Sequence, residues 1–225
     1  MEDFKRYLIL TGGTLKKEFL EEFLKKETVS KIICIDGALE VAHELGIEMD
    51  YLVGDFDTAD SCLVEFYKKQ IQESKIRTVF KEYNPVKDAT DTEIGILLAL
   101  EEGAEEIILL GATGTRIDHM LANIHLLLKP LSLGVKAYIL DCYNKIYLIN
   151  KPIELRKEEL YGQYVSLLPF GSSVKAVTLN GFKYNVTKKD YLQGESLGVS
   201  NELLEEKGQV SFEEGILAVF ETRDS

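Results

Sequence analysis

The sequence is poor in cysteine and has no long apolar run, and both scarcities exclude classes of protein. Its 225 residues include three cysteines, Cys34, Cys62 and Cys142, at distant positions and without a CxxC spacing. We therefore expect no metal-binding cysteine motif and interpret them as buried thiols in a reducing cytoplasm. No window approaches about 18 uncharged apolar residues, and the charged start MEDFKRYLIL lacks a signal-peptide pattern. Export and membrane spanning are not expected.

Positive charge is also scarce. The chain has 26 basic against 38 acidic residues and a net charge of −12. Such a surface repels nucleic acids and anionic membranes, so we expect neither as a partner. If the substrate is a polyphosphate, something other than overall charge must hold it. With 45% hydrophobic residues, the chain is long enough for one large domain or two small ones.

The order of apolar segments predicts an α/β part followed by an all-β part. Short apolar runs predict strands at Arg6–Leu10, Lys31–Ile35, Tyr51–Val53, Ile76–Phe80, Glu106–Leu110 and Val135–Leu140. Amphipathic patterns predict helices at Leu15–Lys26, Leu39–Leu45, Thr92–Glu102 and His119–Leu128. This alternation is typical of a mostly parallel sheet with flanking helices, which we assign to residues 1–143. Short strands and a hairpin signal at Asn180-Gly181 predict a small antiparallel domain over residues 144–225.

Acidic residues follow or face the carboxyl ends of the predicted parallel strands, where open sheets bind ligands. In the stretch DYLVGDFDTAD, two of them are separated by a single phenylalanine. The carboxylates on this rim are Asp36, Asp55, Asp57, Asp88 and Asp91, and Lys87 lies beside them. Because like charges repel, this arrangement predicts a cation between them. Mg²⁺ binds carboxylates together with substrate phosphates, so an acidic site of this kind can hold a nucleotide.

Several of these signals also have purely structural interpretations. Thr90-x-x-Glu93 forms a capping box, so Asp88 and Asp91 can simply begin a helix. Asp36-Gly37 is compatible with an ordinary turn. The glycine loop TGGT at 11–14 lacks the GK[ST] ending of a P-loop and the third glycine of a dinucleotide fingerprint.

The stretch GATGTRIDH, residues 111–119, predicts phosphate chemistry after the fifth strand. Its small residues let main-chain amides approach phosphate oxygens, and Arg116 can grip those oxygens as charge develops. Asp118 can accept a proton or orient a metal-bound water. Alternatively, Arg116 pairs with one of the acids, and His119 is a packing or hydrogen-bonding residue rather than an acid or base.

Three blocks of the sequence resemble the signature blocks of thiamine pyrophosphokinases. They are DGALEVAHELGIEMDYLVGDFDT, KDATDTEIGILLAL and GATGTRIDHMLANI, while SLGVSNELLE at 196–205 is similar to the family's thiamine-contacting segment. The resemblance implies an α/β nucleotide-binding domain followed by a β-sandwich. It also implies a homodimer with thiamine sites between chains, and transfer of pyrophosphate from ATP to thiamine with release of AMP.

The strand-end positions and the resemblance together give the expected site. The expected metal ligands are Asp55, Asp57, Asp88 and Asp91, for Mg²⁺. The expected catalytic residues are Asp57, Asp91, Arg116 and Asp118. The expected ATP-binding residues are Gly12, Gly13, Asp36, Gly37, Lys87, Asp88, Gly111, Thr113 and Arg116. The expected thiamine-binding residues are Asp118, His119, Ser196, Ser200 and Asn201.

The sequence departs from the family pattern at two points, and other functions remain open. Asp36-Gly37-Ala38 stands where the family often has DGG, and the chain has no tryptophan to stack on thiamine. Phe182, Tyr184 and Tyr191 are aromatic candidates for that contact, with packing as their other role. A metal-dependent phosphohydrolase, a sugar-nucleotide transferase and a non-catalytic thiamine or nucleotide sensor are the alternatives. A haloacid-dehalogenase-type phosphatase would carry Thr or Val where this chain has Ala59.

Overall fold

The structure, a computed structural model, describes residues 4–56, 59–82 and 89–224. The predicted site residues Asp57, Lys87 and Asp88 lie outside these ranges. The chain divides into two compact units, with the boundary between Cys142 and Tyr143. Within the described ranges, no helix has the length and apolar character needed to cross a membrane.

The strands of the first unit form a parallel sheet. They are β1 Arg6–Leu10, β2 Lys31–Ile35, β3 Tyr51–Gly54, β4 Val79–Glu82, β5 Glu106–Leu110 and β6 Lys136–Leu140. Their order is β4-β3-β2-β1-β5-β6, and each neighbouring pair is parallel. Five predicted strands agree with the observed bounds to within one residue. The exception is β4, which begins three residues later than predicted because this edge strand is largely exposed and has no continuous apolar run.

Helices connect these strands. They are α1 Lys17–Lys26, α2 Leu39–Glu44, α3 Ser61–Gln72, α4 Asp91–Glu101, α5 Ile117–Leu126 and α6 Leu128–Ser132. The sequence analysis missed α3, whose buried face consists of Val64 and Tyr67. Its first turn is capped by Asp60, which accepts hydrogen bonds from the main-chain N–H groups of residues 62 and 63. Cys62 is exposed in that turn, so the prediction that this thiol is buried is wrong.

Both faces of the parallel sheet are covered, which explains why its strands are continuous apolar runs. Leu8, Leu10 and Cys34 pack with residues of α1, α2 and α3. Helix α4 contacts β1, β2 and β3, with Gly95 close to the side chains of Ile9 and Ile35. Successive strand residues therefore face opposite helical layers. Burial raises the pKa of the Cys34 thiol well above its ordinary value.

The second unit is all β. Its strands are β7 Asn144–Ile149, β8 Ile153–Arg156, β9 Tyr164–Pro169, β10 Ser173–Asn180, β11 Val186–Leu192, β12 Lys207–Ser211 and β13 Leu217–Thr222. Strand β13 pairs antiparallel with both β7 and β9. The separate sheet β11-β10-β12-β8 is also antiparallel. The predicted fold class, a mostly parallel α/β part followed by an all-β part, is confirmed.

The predicted hairpin at Asn180 forms, but its loop is longer than a two-residue turn. Strand β11 begins at Val186, which pairs with Leu179 across the hairpin. Phe182 makes an isolated bridge to Leu203 and is 2% exposed. Tyr184, in the same loop, is 59% exposed. The hairpin signal located the chain reversal correctly, whereas the loop length depends on residues distant in sequence.

Candidate functional site

The strand order of the first unit reverses between β1 and β5, since β2 lies on one side of β1 and β5 on the other. Ligands bind at such switch points, outside the carboxyl ends of the strands. A cavity of about 770 Å³ lies there. Its lining comes from the loops after β1, β2, β3 and β5, from α2 and α5, and from the start of α4. The predicted site residues that line it are Gly12, Gly13, Asp36, Gly37, Asp55, Asp91, Gly111, Thr113, Arg116 and His119.

The floor of the cavity is made of main chain packed on main chain. The N–H of Gly13 donates to the carbonyl oxygen of Gly111 at 2.8 Å, and the N–H of Thr14 donates to that of Thr113 at 2.7 Å. A Cβ atom on Gly13 would lie 2.2 Å from the Gly111 oxygen, so no side chain fits at this position. The TGGT stretch therefore has a structural reason for its glycines. Their contact with ATP stays a prediction.

Three acidic side chains meet at the edge of this floor. The carboxylates of Asp36, Asp55 and Asp91 each place an oxygen within 4.8 Å of the other two. Asp36 is buried in a short 3₁₀ turn after β2, and its Oδ1 accepts a hydrogen bond from the N–H of Gly37 at 2.5 Å. Three like charges at this spacing repel unless a cation lies among them, and carboxylate oxygens are the ligands that Mg²⁺ prefers. We name Asp36, Asp55 and Asp91 the acidic cluster.

Helix capping and the acidic cluster coexist at the start of α4. Thr90 is the N-cap, and its hydroxyl oxygen accepts a hydrogen bond from the N–H of Glu93 at 3.2 Å. Asp91 is the first residue of the helix, where the macrodipole favours a negative charge. The Thr90 half of the predicted capping box therefore forms, while the Glu93 side chain pairs with Lys129 at 3.0 Å. The same turn also brings Asp91 to the cavity. The helix terminus offsets part of the repulsion within the acidic cluster.

The loop after β5 is held by two side chains behind it. The hydroxyl of Thr113 donates to Asp141 Oδ2 at 2.8 Å, and Asn123 Nδ2 donates to the carbonyl oxygen of Ala112 at 2.9 Å. Thr113 was expected to bind ATP, but its hydroxyl already has this partner. Asn123 was not identified from the sequence, because a single asparagine within a helical pattern carries no signal of a contact to a remote loop. The two hydrogen bonds fix the loop on one wall of the cavity.

Arg116 and Asp118 form an ion pair, as one of the alternatives from the sequence anticipated. Arg116 Nη2 donates to Asp118 Oδ2 at 2.7 Å, and Nε donates to Oδ1 at 3.3 Å. The hydrogen bond with Arg116 lowers the pKa of Asp118 from its ordinary value, and the pKa of Arg116 is raised by the same contact. Both side chains are exposed. A carboxylate with a lowered pKa is a weak base, so the pair favours an orienting role for Asp118.

The predicted thiamine residues of the second unit differ in burial. Ser196 and Ser200 are exposed, and the N–H of Ser200 donates to Ser166 Oγ at 2.9 Å. Asn201 is 2% exposed. Its Oδ1 accepts from the N–H groups of Tyr184 and Glu202, both at 3.0 Å, and its Nδ2 donates to the Tyr184 carbonyl at 2.8 Å. Asn201 thus builds the loop that carries Tyr184, and its contact with thiamine stays a prediction.

Sequence reasoning also missed a buried hydroxyl at the end of β1. Thr11 is 2% exposed and lines the cavity. Across residues 4–56, 59–82 and 89–224, its Oγ1 is the buried side-chain polar atom that has no hydrogen-bond partner. A buried hydroxyl without a partner is unfavourable for folding, and such groups concentrate at sites that bind something. A threonine that ends an apolar strand gives no sign of this in the sequence.

Comparison with known proteins covers both units. A family model described as the thiamin pyrophosphokinase catalytic domain matches residues 22–139, and one described as the thiamin pyrophosphokinase vitamin B1 binding domain matches residues 151–217. A thiamine pyrophosphokinase of Bacillus subtilis is 33% identical over 193 residues, covering 85% of this chain and 87% of the relative.

Solved structures of similar proteins share the fold. A crystal structure of thiamine pyrophosphokinase from Bacillus subtilis superposes with a TM-score of 0.83 and 28% identity, covering 98% of this chain and 100% of that one. The corresponding structure from Geobacillus thermodenitrificans has a TM-score of 0.79 and 30% identity, covering 98% of each chain. The resemblance found in short sequence blocks therefore extends over nearly the whole chain.

Proposed function

The chain belongs to the thiamine pyrophosphokinase family, whose members transfer pyrophosphate from ATP to thiamine, and we propose that it does so at the cavity on the β1/β5 switch point. The observation that carries this proposal is the acidic cluster at that cavity, inside the segment that matches the catalytic-domain model. The relatives do not favour a phosphohydrolase or a sensor.

We propose that the two parts of the chain bind different substrates. Residues 1–143 form the catalytic domain that binds ATP and metal, and residues 144–225 form the domain that binds thiamine. The family models support this division, because the catalytic-domain match ends at residue 139 and the vitamin B1 match begins at residue 151. In this proposal, the glycine floor and Asp36, Thr113 and Arg116 contact ATP, together with Lys87 and Asp88.

The metal of the proposed reaction is Mg²⁺. The donor set fits this ion, since the acidic cluster offers three hard oxygen ligands and leaves room for phosphate oxygens. Asp55 and Asp91 would hold the metal together with Asp57 and Asp88, and Asp36 lies close enough to Asp55 and Asp91 to take part. When bound, Mg²⁺ supplies neutralisation of phosphate charge and polarisation of the phosphorus that is attacked.

The residues of the chain contribute mainly by positioning. The floor has no side chains at its glycines, so a polyphosphate can lie close to the main chain. Arg116 offsets negative charge on the transferred group, and Asp118 orients its guanidinium through their two hydrogen bonds. The hydroxyl of thiamine attacks the β-phosphorus in line with departing AMP. Asp91 contributes as a member of the acidic cluster, where its carboxylate would bind the metal.

The thiamine side of the proposal involves Asp118, His119, Ser196, Ser200 and Asn201, with Asn201 shaping the loop. Thiamine is cationic, and the net charge of −12 favours its approach. We also propose a homodimer with the thiamine sites between chains. Its support is the number of exposed apolar side chains near residues 196–205, which a second copy would cover: Leu197, Val199 and Leu204.

The nucleotide product tests the reaction. The protein is incubated with ATP, Mg²⁺ and thiamine, each is omitted in turn, and nucleotides are separated by ion-exchange chromatography. We expect AMP and thiamine diphosphate in equal amounts, and only when all three components are present. ADP with thiamine monophosphate would contradict pyrophosphate transfer. ATP hydrolysis without thiamine would indicate a phosphohydrolase, and binding without turnover would indicate a sensor.

Mixing two inactive variants tests the sites between chains. Asp57→Asn removes a predicted metal ligand, and Ser196→Trp places a bulky side chain at an exposed position of the thiamine segment. After subunit exchange, a hybrid dimer contains one site that carries neither change, so activity should return. Mass measurement by light scattering is the control for dimer formation. No recovery in a verified hybrid dimer would show that each site is built within one chain.

A further inference from the structure

The acidic loop after β3 contains an aromatic residue in a backbone conformation that L-amino acids avoid. Phe56, the residue after Asp55, has a φ of 58°. The left-handed region is the usual place for glycine, or for asparagine and aspartate, and it is unfavourable for bulky side chains. Such residues persist where the surrounding structure holds them, and they cluster at functional sites. Phe56 therefore needs an explanation beyond the turn itself.

The ring of Phe56 is held by β4. It stacks on Phe80 with ring centroids 4.6 Å apart and planes inclined by 17°. The Phe80 ring is in turn contacted by Lys68 of α3, whose Nζ lies 5.2 Å from the ring centroid. Lys68 also forms an ion pair with Glu82 at 3.4 Å. The left-handed residue is thus fixed through its side chain to the edge strand and to α3.

The position of Asp55 depends on the residues on either side of it. On one side is Gly54, where a Cβ atom would lie 2.7 Å from Cβ of Asp36, so the end of β3 rests directly against that acid. On the other side is Phe56, whose ring is fixed on Phe80. Between these two anchors, the carboxylate of Asp55 joins the acidic cluster. The two anchors fix the backbone on both sides of this carboxylate.

Core packing alone does not account for this arrangement. Phe56 and Phe80 are both only half-buried and pack at the margin of the hydrophobic core, whereas fully buried side chains such as Leu8 and Leu39 form its interior. A half-buried phenylalanine can bury similar area from an ordinary backbone conformation. What the left-handed conformation adds is the direction of the chain at the acidic loop. The ring of this left-handed residue is the one that stacks on Phe80.

We propose that Phe56 and Phe80 form an aromatic clamp that positions Asp55 to bind a divalent cation. Both are positioning residues, since neither ring carries a ligand atom. The proposal rests on the proposed function for the identity of the site, and it adds the means by which the acidic cluster is kept assembled before the metal arrives. Assembly in advance reduces the reorganisation that binding requires.

Metal affinity of the nucleotide-free protein tests the clamp. Binding of Mn²⁺, used as the probe, is measured by electron paramagnetic resonance, and unfolding midpoints are measured with and without Mn²⁺. Phe80→Leu removes the stacking ring and leaves Phe56 and the acids in place, and we expect its Mn²⁺ dissociation constant to rise by about tenfold or more, as when support behind a metal ligand is lost. Phe80→Tyr keeps the ring and should bind as the wild type does.

A second variant separates clamping from folding. Phe56→Gly removes the ring, and glycine tolerates the left-handed conformation without being held in it, so the variant should fold while binding Mn²⁺ more weakly. Phe66→Leu, at a half-exposed aromatic residue of α3, is the matched control and should leave affinity unchanged. Wild-type affinity in Phe56→Gly or Phe80→Leu would overturn the proposal, whatever the unfolding midpoints. So would failure of the wild type to bind Mn²⁺.

The failure of the proposed function is distinguishable from the failure of the clamp. The product experiment uses the wild type alone and decides whether AMP is released in a thiamine-dependent reaction. The clamp experiment compares variants in the absence of nucleotide. A wild type that makes no thiamine diphosphate, with weakened Mn²⁺ binding in Phe80→Leu, would contradict only the reaction. An active wild type with unchanged binding in that variant would contradict only the clamp.

Discussion

Individual buried polar groups of the two units differ in how fully they are hydrogen-bonded. In the first unit, the acidic cluster brings three like charges together, and the hydroxyl of Thr11 has no partner among the described residues. In the second unit, buried Glu221 accepts hydrogen bonds from Tyr147 at 2.9 Å and from the N–H of Tyr161 at 2.7 Å. Buried Asn201 makes three side-chain hydrogen bonds there.

Among the described residues, the Thr11 hydroxyl is unsatisfied, whereas Glu221 and Asn201 hold loops of the second unit through their hydrogen bonds. Polar groups without partners lower stability, and proteins retain them where function needs them. Polar groups with full sets of partners stabilise the loops that they connect. Removing the Thr11 hydroxyl should therefore raise the stability of the ligand-free protein, whereas removing the Asn201 amide should lower it. The sign of the change in unfolding free energy distinguishes the two kinds of residue.

The largest expected effect is on activity, at Asp36. Asp36→Asn keeps the side-chain volume and the acceptor for the Gly37 N–H but removes a charge from the acidic cluster. We expect a loss of kcat/KM larger than the roughly 10–100-fold that follows loss of a residue behind a metal ligand. The unfolding midpoint without metal is the control for folding, and it should stay close to that of the wild type. A fall in that midpoint, with activity retained, would contradict the distinction.

Substitutions in the glycine floor should lower the free energy of unfolding, because the packed main chain leaves no space for an added side chain. Gly111 and Gly134 share a φ of +74°, but a Cβ at Gly111 would lie 2.3 Å from the oxygen of Thr11, and one at Gly134 meets nothing within 4 Å. Gly134→Ala measures the backbone strain alone. We expect Gly111→Ala to lower the free energy of unfolding by about 1–3 kcal/mol more, measured by denaturant titration. Equal losses would show that the floor can move apart.

In the second unit, Asn201→Ala should destabilise the protein. It leaves the N–H groups of Tyr184 and Glu202 without their acceptor, and we expect a loss of about 2 kcal/mol in the free energy of unfolding. Ser196→Ala, at an exposed position of the same segment, is the control and should change stability by less than about 0.5 kcal/mol. If Asn201→Ala weakens thiamine binding without destabilising the fold, the residue belongs with the ligand-binding groups.

The smallest expected effect is at Thr11. Thr11→Val replaces the buried hydroxyl by a methyl group of similar size, and we expect the ligand-free protein to gain about 1 kcal/mol in the free energy of unfolding. Thr11→Ser keeps the hydroxyl and should not show this gain. A destabilised Thr11→Val would mean that the hydroxyl has a partner, such as an ordered water, and belongs with the groups that hold the fold.

The sequence predicts the parts of the fold that depend on local pattern. Strands β1, β2 and β5 have their predicted bounds because buried parallel strands are continuous apolar runs. Helix α3 was missed because the segment after the acidic loop was not assigned to any element, although its apolar residues follow a helical period and Val64 and Tyr67 form its buried face. The buried thiol expected at residue 62 was wrong for the same reason, because it lies at the start of that helix.

The site, too, has features that the sequence pattern predicts and features that it does not. Asp36, Asp55 and Asp91 come together as expected because the carboxyl ends of parallel strands share one edge of a sheet. The stacking of Phe56 on Phe80 and the hydrogen bond from Asn123 to the loop after β5 were not predictable. Each joins residues that are remote in the chain and carries no spacing rule. The burial of Asn201 was not predictable either. The resemblance of residues 196–205 to a thiamine-contacting segment does not show which of their side chains are exposed.

The glycine floor limits how this site can evolve. Floor positions such as Gly13 and Gly111 abut the main chain of another loop, so substitution there adds no new contact for a ligand and only forces loops apart. The substrate range can instead change through substitutions at the rim of the cavity. Glu40 and Met120 are examples of such lining positions outside the glycine floor. A search for altered substrate range is best directed at the rim, with the floor left invariant.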